Sequence, residues 1–326
     1  MQRIKNILIL TLSVLWVTTN AQDADLSHFY VSPSIASPAL TGRLTNDDFR
    51  AVGVFRSQWS SLASNYVTSA FSFDVPYKKK WGIGGYILNN DGARVFNVLN
   101  VVVSGSYDIL KEDQDKHHLV MGLNLGIINK KIDSDEFTYD AQYDDGFFNP
   151  YINSNEEGVG QSKILPEVAY GVAYYNTDDQ KKYHPFVSAS VFHLTYPKES
   201  FTNTSSRLPL RYSVMAGSDF EINEKINAKP LLFWQYQRRN TYLNFGAEGS
   251  FQIEDKGTEA IAGLFYRLNE SIIPMVGIQY QNIVFRFSYD INTSSLNDFT
   301  QRRGGVEFSL TFQGDSGNIL GFAVPR

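Results

Sequence analysis

The stretch GGVEFSLTFQGDSG, Gly304 to Gly317, admits two incompatible readings. Its last four residues, Gly314, Asp315, Ser316 and Gly317, spell the tetrapeptide that frames the nucleophile of chymotrypsin-like proteases. The residues before them alternate strictly. Val306, Phe308, Leu310 and Phe312 interleave with Glu307, Ser309, Thr311 and Gln313, the period of a strand with one apolar and one polar face. A nucleophile of that kind needs a histidine and an aspartate in matching contexts, and a long stretch of chain beyond the serine. The sequence runs from Gly317 only to Arg326, and its histidines, at positions 28, 117, 118, 184 and 193, sit in no triad context. The strand reading prevails, and Ser316 reads as part of a turn that leaves the last strand.

The same alternation recurs back to Arg50. Val67, Phe71, Phe73 and Val75 stand opposite Thr68, Ser72 and Asp74. Leu99, Val101, Val103 and Tyr107 oppose Asn100, Ser104, Ser106 and Asp108, and Leu119, Met121, Leu123, Leu125 and Ile127 oppose Gly122, Asn124 and Gly126. Val168 to Tyr174, Tyr212 to Phe220 and Leu243 to Ile253 continue the series. The runs number about fourteen, an even count of the kind used by single-chain bacterial barrels, and they are long enough to cross a bilayer when tilted. The expected fold is therefore all-β: a transmembrane antiparallel β-barrel of the outer-membrane type. Composition agrees. Aromatic residues reach 14%, with 19 Tyr and 23 Phe, while charged residues make up 19%, as two-faced strands require.

Loop lengths test the barrel independently. A chain that enters from the periplasm places its odd-numbered connections outside and its even-numbered ones inside, and outer-membrane barrels keep the inner ones short. The long connections here, Ser57 to Asn65, Lys131 to Ile164, Tyr196 to Ser206 and Asn292 to Gln301, are all odd. The even ones, such as Tyr77 to Lys80 and Gln281 to Asn282, are short.

Arg3 and Lys5 precede an apolar run from Ile7 to Val17, followed by small residues up to Ala21, the pattern of a secretory signal peptide. The expected organisation is a signal peptide over 1–21, an N-terminal periplasmic segment over 22–48, the barrel over 49–313 and a C-terminal periplasmic tail over 314–326. The absence of Cys removes disulfides, a lipoprotein acylation site and thiolate metal sites. A net charge of -5 offers no basic excess for a nucleic-acid partner. No catalytic motif, cofactor-binding loop or metal-ligand spacing stands out, so no catalytic residue, cofactor or metal is expected.

Two groups of residues invite a binding role. Arg56, Arg94, Arg207, Arg238, Arg239, Arg267, Arg302 and Arg303 map to the expected external rim, whereas Lys78, Lys79 and Lys80 map to a periplasmic turn. A guanidinium grips phosphate through a planar fork, so Arg238, Arg239, Arg302 and Arg303 are candidates for holding lipopolysaccharide in the outer leaflet. The long loop Lys131 to Ile164 carries Tyr139, Tyr143, Phe147, Phe148 and Tyr151, aromatic anchors for a protein partner. Asp74, Asp108, Glu248, Asp290 and Glu307 fall on the inward face and suit a polar lumen. That lumen leaves open a second reading, an outer-membrane channel for small or hydrophobic solutes.

The sequence also resembles the PorP/SprF family of Bacteroidetes outer-membrane proteins, associated with type IX secretion and gliding motility. The segment QDADLSHFYVSPSIASPALTG, from Gln22, is similar to the family's opening, with Phe29-Tyr30, Pro33 and Pro38-Ala39 through Gly42 in place. FRSQW, Phe55 to Trp59, resembles its Arg-x-Gln-Trp element, and WGIGGYILNNDG, FSYDINTSSL and GGVEFSL resemble later strands. Ser32 and Ser37 depart from the family's usual Asn before Pro. The resemblance implies a barrel without catalysis. Its partners would be periplasmic components of the secretion machine, or a secreted surface protein or adhesin that it helps to export or anchor. It also implies that Pro38 to Gly42 fix a turn before the first strand and that Trp59 seats at the external interface.

Overall fold

The computed structural model describes residues 23–44, 49–58, 66–110, 116–133, 138–144, 147–154, 160–178, 180–202, 205–253, 257–294 and 303–314. The expected signal peptide, Trp59, Arg302, Ser316 and the rest of the expected tail from 315 lie outside them. The alternating runs form the strands β1 (Phe49–Gln58), β2 (Tyr66–Tyr77), β3 (Trp81–Gly92), β4 (Phe96–Asp108), β5 (His117–Ile132), β6 (Ser162–Asn176), β7 (Tyr183–Phe192), β8 (Arg211–Asn223), β9 (Ile226–Gln237), β10 (Asn240–Gln252), β11 (Thr258–Arg267), β12 (Ser271–Tyr280), β13 (Ile283–Asn292) and β14 (Arg303–Gly314). Each pairs antiparallel with its sequence neighbours, and β14 returns to β1 to close the barrel. Phe49 faces Gly314 and Gly53 faces Leu310 across that seam. Closure leaves no strand edge, which is what lets a sheet sit in lipid without unsatisfied backbone groups. Among the described residues no helix is long and apolar enough to cross a membrane.

The two faces follow the sequence period. On β5, Leu119, Met121, Leu123, Leu125 and Ile127 are exposed, while Val120, Gly122, Asn124 and Ile128 between them are buried. On β14, Phe308 and Leu310 point out while Glu307, Ser309 and Thr311 point in. The connections at one end, 78–80, 109–116, 177–182, 224–225, 253–257 and 281–282, are all short. The other end holds the long ones, 59–65, 133–161, 193–210 and 293–302, together with three tight turns at 93–95, 238–239 and 268–270.

The expected periplasmic segment is elsewhere. Residues 23–44 run through the interior of the barrel as a plug, with a short α-helix (Pro33–Ala36) and a 3-10 turn (Pro38–Leu40). Leu26, Phe29, Tyr30, Val31, Ala36, Ala39 and Leu40 of this segment are buried in one core with inward residues of β1 to β13, among them Val52, Val102, Phe233, Phe265 and Met275. The physical reason lies in the strands. Their inward faces carry apolar side chains among the polar ones, and these need an apolar partner that a water-filled lumen does not offer.

Candidate functional site

The plug crosses the barrel from end to end, and its bonds mark its depth. Asp23 lies at the long-loop end, where its amide donates to Gln237 Oε1 at 3.2 Å. Gly42 lies near the short-turn end, where its amide donates to Asp74 Oδ2 at 2.7 Å and Arg50 holds the same carboxylate in a two-point grip. Gly42 has φ +69, and a Cβ there would meet Gly82 Cα at 2.6 Å, so the position requires glycine. The wall is shaped to match. A Cβ at Gly122 would lie 2.2 Å from the Pro38 carbonyl carbon, and one at Gly82 would lie 2.2 Å from Thr41 O.

Towards the long-loop end, a buried ionic cluster clamps the plug. Arg56 Nη2 lies 2.7 Å from Asp290 Oδ2 and its Nη1 lies 3.0 Å from Glu307 Oε2. Arg267 Nη1 reaches Asp290 at 2.9 Å and Glu270 at 2.7 Å. Glu307 then accepts the amides of Ser27 at 2.7 Å and His28 at 2.6 Å. Deeper in the barrel, Tyr30 Oη donates to Glu248, which Arg286 grips through Nε and Nη2. The inward acids expected from the sequence are thus all buried, and Asp290, Glu307, Glu248 and Asp74 hold the plug or a residue beside it. Arg56 and Arg267, expected on the rim, are deep inside, because they fall on inward positions of β1 and β11 where buried carboxylates await them.

Above the plug a cavity of about 1310 Å³ opens among the long-loop ends of the strands. Its floor includes Asp23, Asp25 and Ile35 from the plug, and its walls include Leu88, Val98 and Phe201. Asp23 binds His193 Nε2 at 2.8 Å and Arg211 Nη1 at 3.0 Å, and Glu167 binds His193 Nδ1 at 2.6 Å. Burial works against the charge of Asp23, but His193 and Arg211 outweigh it and hold the carboxyl well below the usual range. Burial likewise opposes the charge on His193, which Asp23 and Glu167 nevertheless raise above the ordinary histidine value. Asp25 differs: burial pushes it up to about 7, against the pull of Arg267.

The aromatic candidates come together on the long loop. Tyr143–Asp144 and Phe147–Phe148 form a small two-stranded hairpin after a 3-10 turn, Asp140–Gln142, and the Tyr143 and Phe148 rings pack 5.7 Å apart. Phe147 and Tyr151 are 78% and 96% exposed, Tyr143 and Phe148 are also exposed, and Tyr139 is half-buried. The arginine candidates separate. Arg238 and Arg239 form the tight turn between β9 and β10, both with positive φ, but Arg238 turns to Glu199 and lines the cavity while Arg239 stays exposed. Arg303 opens β14. Among the described residues no group of three or more acidic or histidine side chains is placed to hold a metal ion. Of the plug residues, Ser27 carries no signal of its own in the sequence, His28 stands there only as a histidine outside any triad context, and Thr41 only as part of the turn from Pro38 to Gly42 that the family resemblance implies.

Residues 18–312 match the family described as type IX secretion system membrane protein PorP/SprF. No curated protein matches the chain in sequence. Among solved structures, a FadL homologue from Pseudomonas aeruginosa is similar with a TM-score of 0.51 and 11% identity, covering 87% of this chain and 94% of that one. The toluene transporter TbuX of Ralstonia pickettii gives a TM-score of 0.48 and 9% identity, covering 86% of this chain and 92% of that one. At such identity the likeness to the homologue is one of fold alone, that of an outer-membrane barrel.

Proposed function

We propose that this chain, which belongs to the PorP/SprF family of type IX secretion system membrane proteins, serves that route as a non-enzymatic accessory barrel of the outer membrane. In this reading the signal peptide directs export, the long-loop end faces outward amid lipid and lipopolysaccharide, and the short turns face the periplasm. Work is done by surfaces that hold a secreted surface protein outside or the machine's periplasmic parts inside. The observation that carries the reading is the filled lumen. A barrel whose interior is packed around its own N-terminal segment is poorly suited to the solute-channel alternative, and its loops remain for partners.

The exposed hairpin of the long loop is the candidate outside contact, because Tyr143, Phe147, Phe148 and Tyr151 present large, stiff apolar area. Replacing Asp140 to Tyr151 by a glycine-serine linker is expected to abolish surface display of the co-exported protein while the barrel still folds. Phe147→Ala alone is expected to weaken the contact by about 2 kcal/mol, the scale of an interface anchor. Normal display by a folded, loop-deleted barrel would move the partner to the short-turn end.

A further inference from the structure

The cavity above the plug has Asp23, Ala24, Asp25 and Ile35 as its floor and the long-loop ends of the strands as its walls, so a ligand that enters from the loop side meets the plug. Most of the charges around it are already matched. Arg211 and His193 take Asp23, Arg267 takes Asp290 and Glu270, and Lys130 and Arg238 share Glu199. Asp25 is the exception. Gln235 Nε2 donates to its Oδ1 at 3.1 Å, and no cation among the described residues lies within ion-pairing distance of it. Arg267, Glu270, Arg211 and Asp23 face it, two of each sign, so their fields largely cancel.

A carboxylate left without a counter-charge in a partly dry site is a vacancy for a cation. The walls limit what that cation belongs to. Leu88, Val98, Phe96 and Phe201 give apolar surface, and Asn90 and Asn100 stand among them with groups that both donate and accept. An inorganic ion would leave that surface uncovered, and the volume exceeds that of pockets for small ligands, roughly 300 to 1,000 Å³. A polypeptide offers apolar side chains and alternating backbone donors and acceptors together.

We propose that the cavity receives an extended polypeptide segment from the long-loop side, with a basic side chain seated on Asp25. The site belongs to the folded barrel and does not depend on the cellular role proposed above, so the two are tested separately. The probe is an acetylated, amidated short peptide with one central lysine between leucines, compared with its norleucine and glutamate counterparts. Binding is measured on the full-length protein in lipid nanodiscs.

The lysine peptide is expected to bind about ten-fold or more tightly than the norleucine one, the scale of one charge-assisted contact. The difference should grow from about pH 6 to about pH 8, as Asp25 loses its proton. Asp25→Asn, which keeps an acceptor for Gln235, is expected to abolish both the preference and its pH dependence. Val98→Trp, on the wall, is expected to weaken both peptides alike. Equal binding of the lysine and norleucine peptides, preference for the glutamate peptide, no binding at all, or a preference that survives Asp25→Asn would each overturn the proposal.

Discussion

At the scale of single residues, Glu307 shows what an inward position of an alternating strand becomes when the lumen is filled. It is fully buried, it accepts two plug amides, and it pairs with Arg56, itself fully buried. Removing one partner of such a cluster leaves a buried charge uncompensated, which costs far more than the intact pair contributes. Glu307→Ala is therefore expected to destabilise the protein by about 3 to 5 kcal/mol in urea unfolding from lipid vesicles, as Arg56 and the Ser27 and His28 amides lose their acceptor. Glu307→Gln, which keeps the shape and an acceptor, should cost less. A loss below about 1 kcal/mol for the alanine variant would mean that water reaches the cluster and replaces the carboxylate. The inward direction of Glu307 was legible in the alternation of residues 306–312; its partners were not. A period of two tells which face a side chain takes, but says nothing about what stands across the barrel. Arg56 and Arg267 were placed on the rim for the same reason: sequence position fixed their height near the strand ends, but their inward facing and buried acids decided their environment.

At the scale of elements, the strands were the legible part and the plug was not. Packing against lipid on one side and a core on the other imposes a two-residue period that survives in every strand, and closure imposes the loop parity. Residues 23–44 obey neither rule. Their short helical turns carry no sustained period, their apolar residues are too few to announce a domain, and they fold only because the wall around them supplies partners. The outward rows of the strands allow a direct check of depth. Leu125 on β5 and Leu194, in the connection after β7, are similarly exposed, 49% and 44%, yet only the first lies within the sheet that crosses the bilayer. Leu125→Arg is expected to cost about 2 to 4 kcal/mol in refolding into vesicles, because hydrocarbon cannot solvate the guanidinium, and Leu194→Arg about 1 kcal/mol or less. Similar losses at the two sites would mean that the bilayer does not contact the barrel where its strands place it.

At the scale of the whole molecule, barrel and plug form one solid body rather than a pipe with a stopper. The core runs from the plug into the inward faces of β1 to β13, and the wall gives up side chains at Gly82 and Gly122 so that residues 38–41 can lie against it. Cavities cut to the backbone of a segment are hard to reconcile with a segment that leaves in each working cycle, since departure would expose apolar wall and strip Asp74, Glu248 and Glu307 of the hydrogen bonds that the plug donates to them. The intact protein is accordingly expected to pass no steady current in a planar bilayer. Gly122→Val puts a Cβ about where the Pro38 carbonyl stands, 2.2 Å away, and must push the plug aside. It is expected to cost about 1 to 3 kcal/mol, as overpacking does, and to produce open-channel events. Gly105→Val is the control: that residue lies on the outward face of β4, and an added Cβ has nothing nearer than Gly82 O at 3.9 Å, so the barrel should stay silent. A steady current from the unaltered protein would show that the lumen is open despite the plug, and would return the channel reading to first place. Silence from all three, with Gly122→Val folded and its plug still protected from protease, would show that the wall yields instead of the segment.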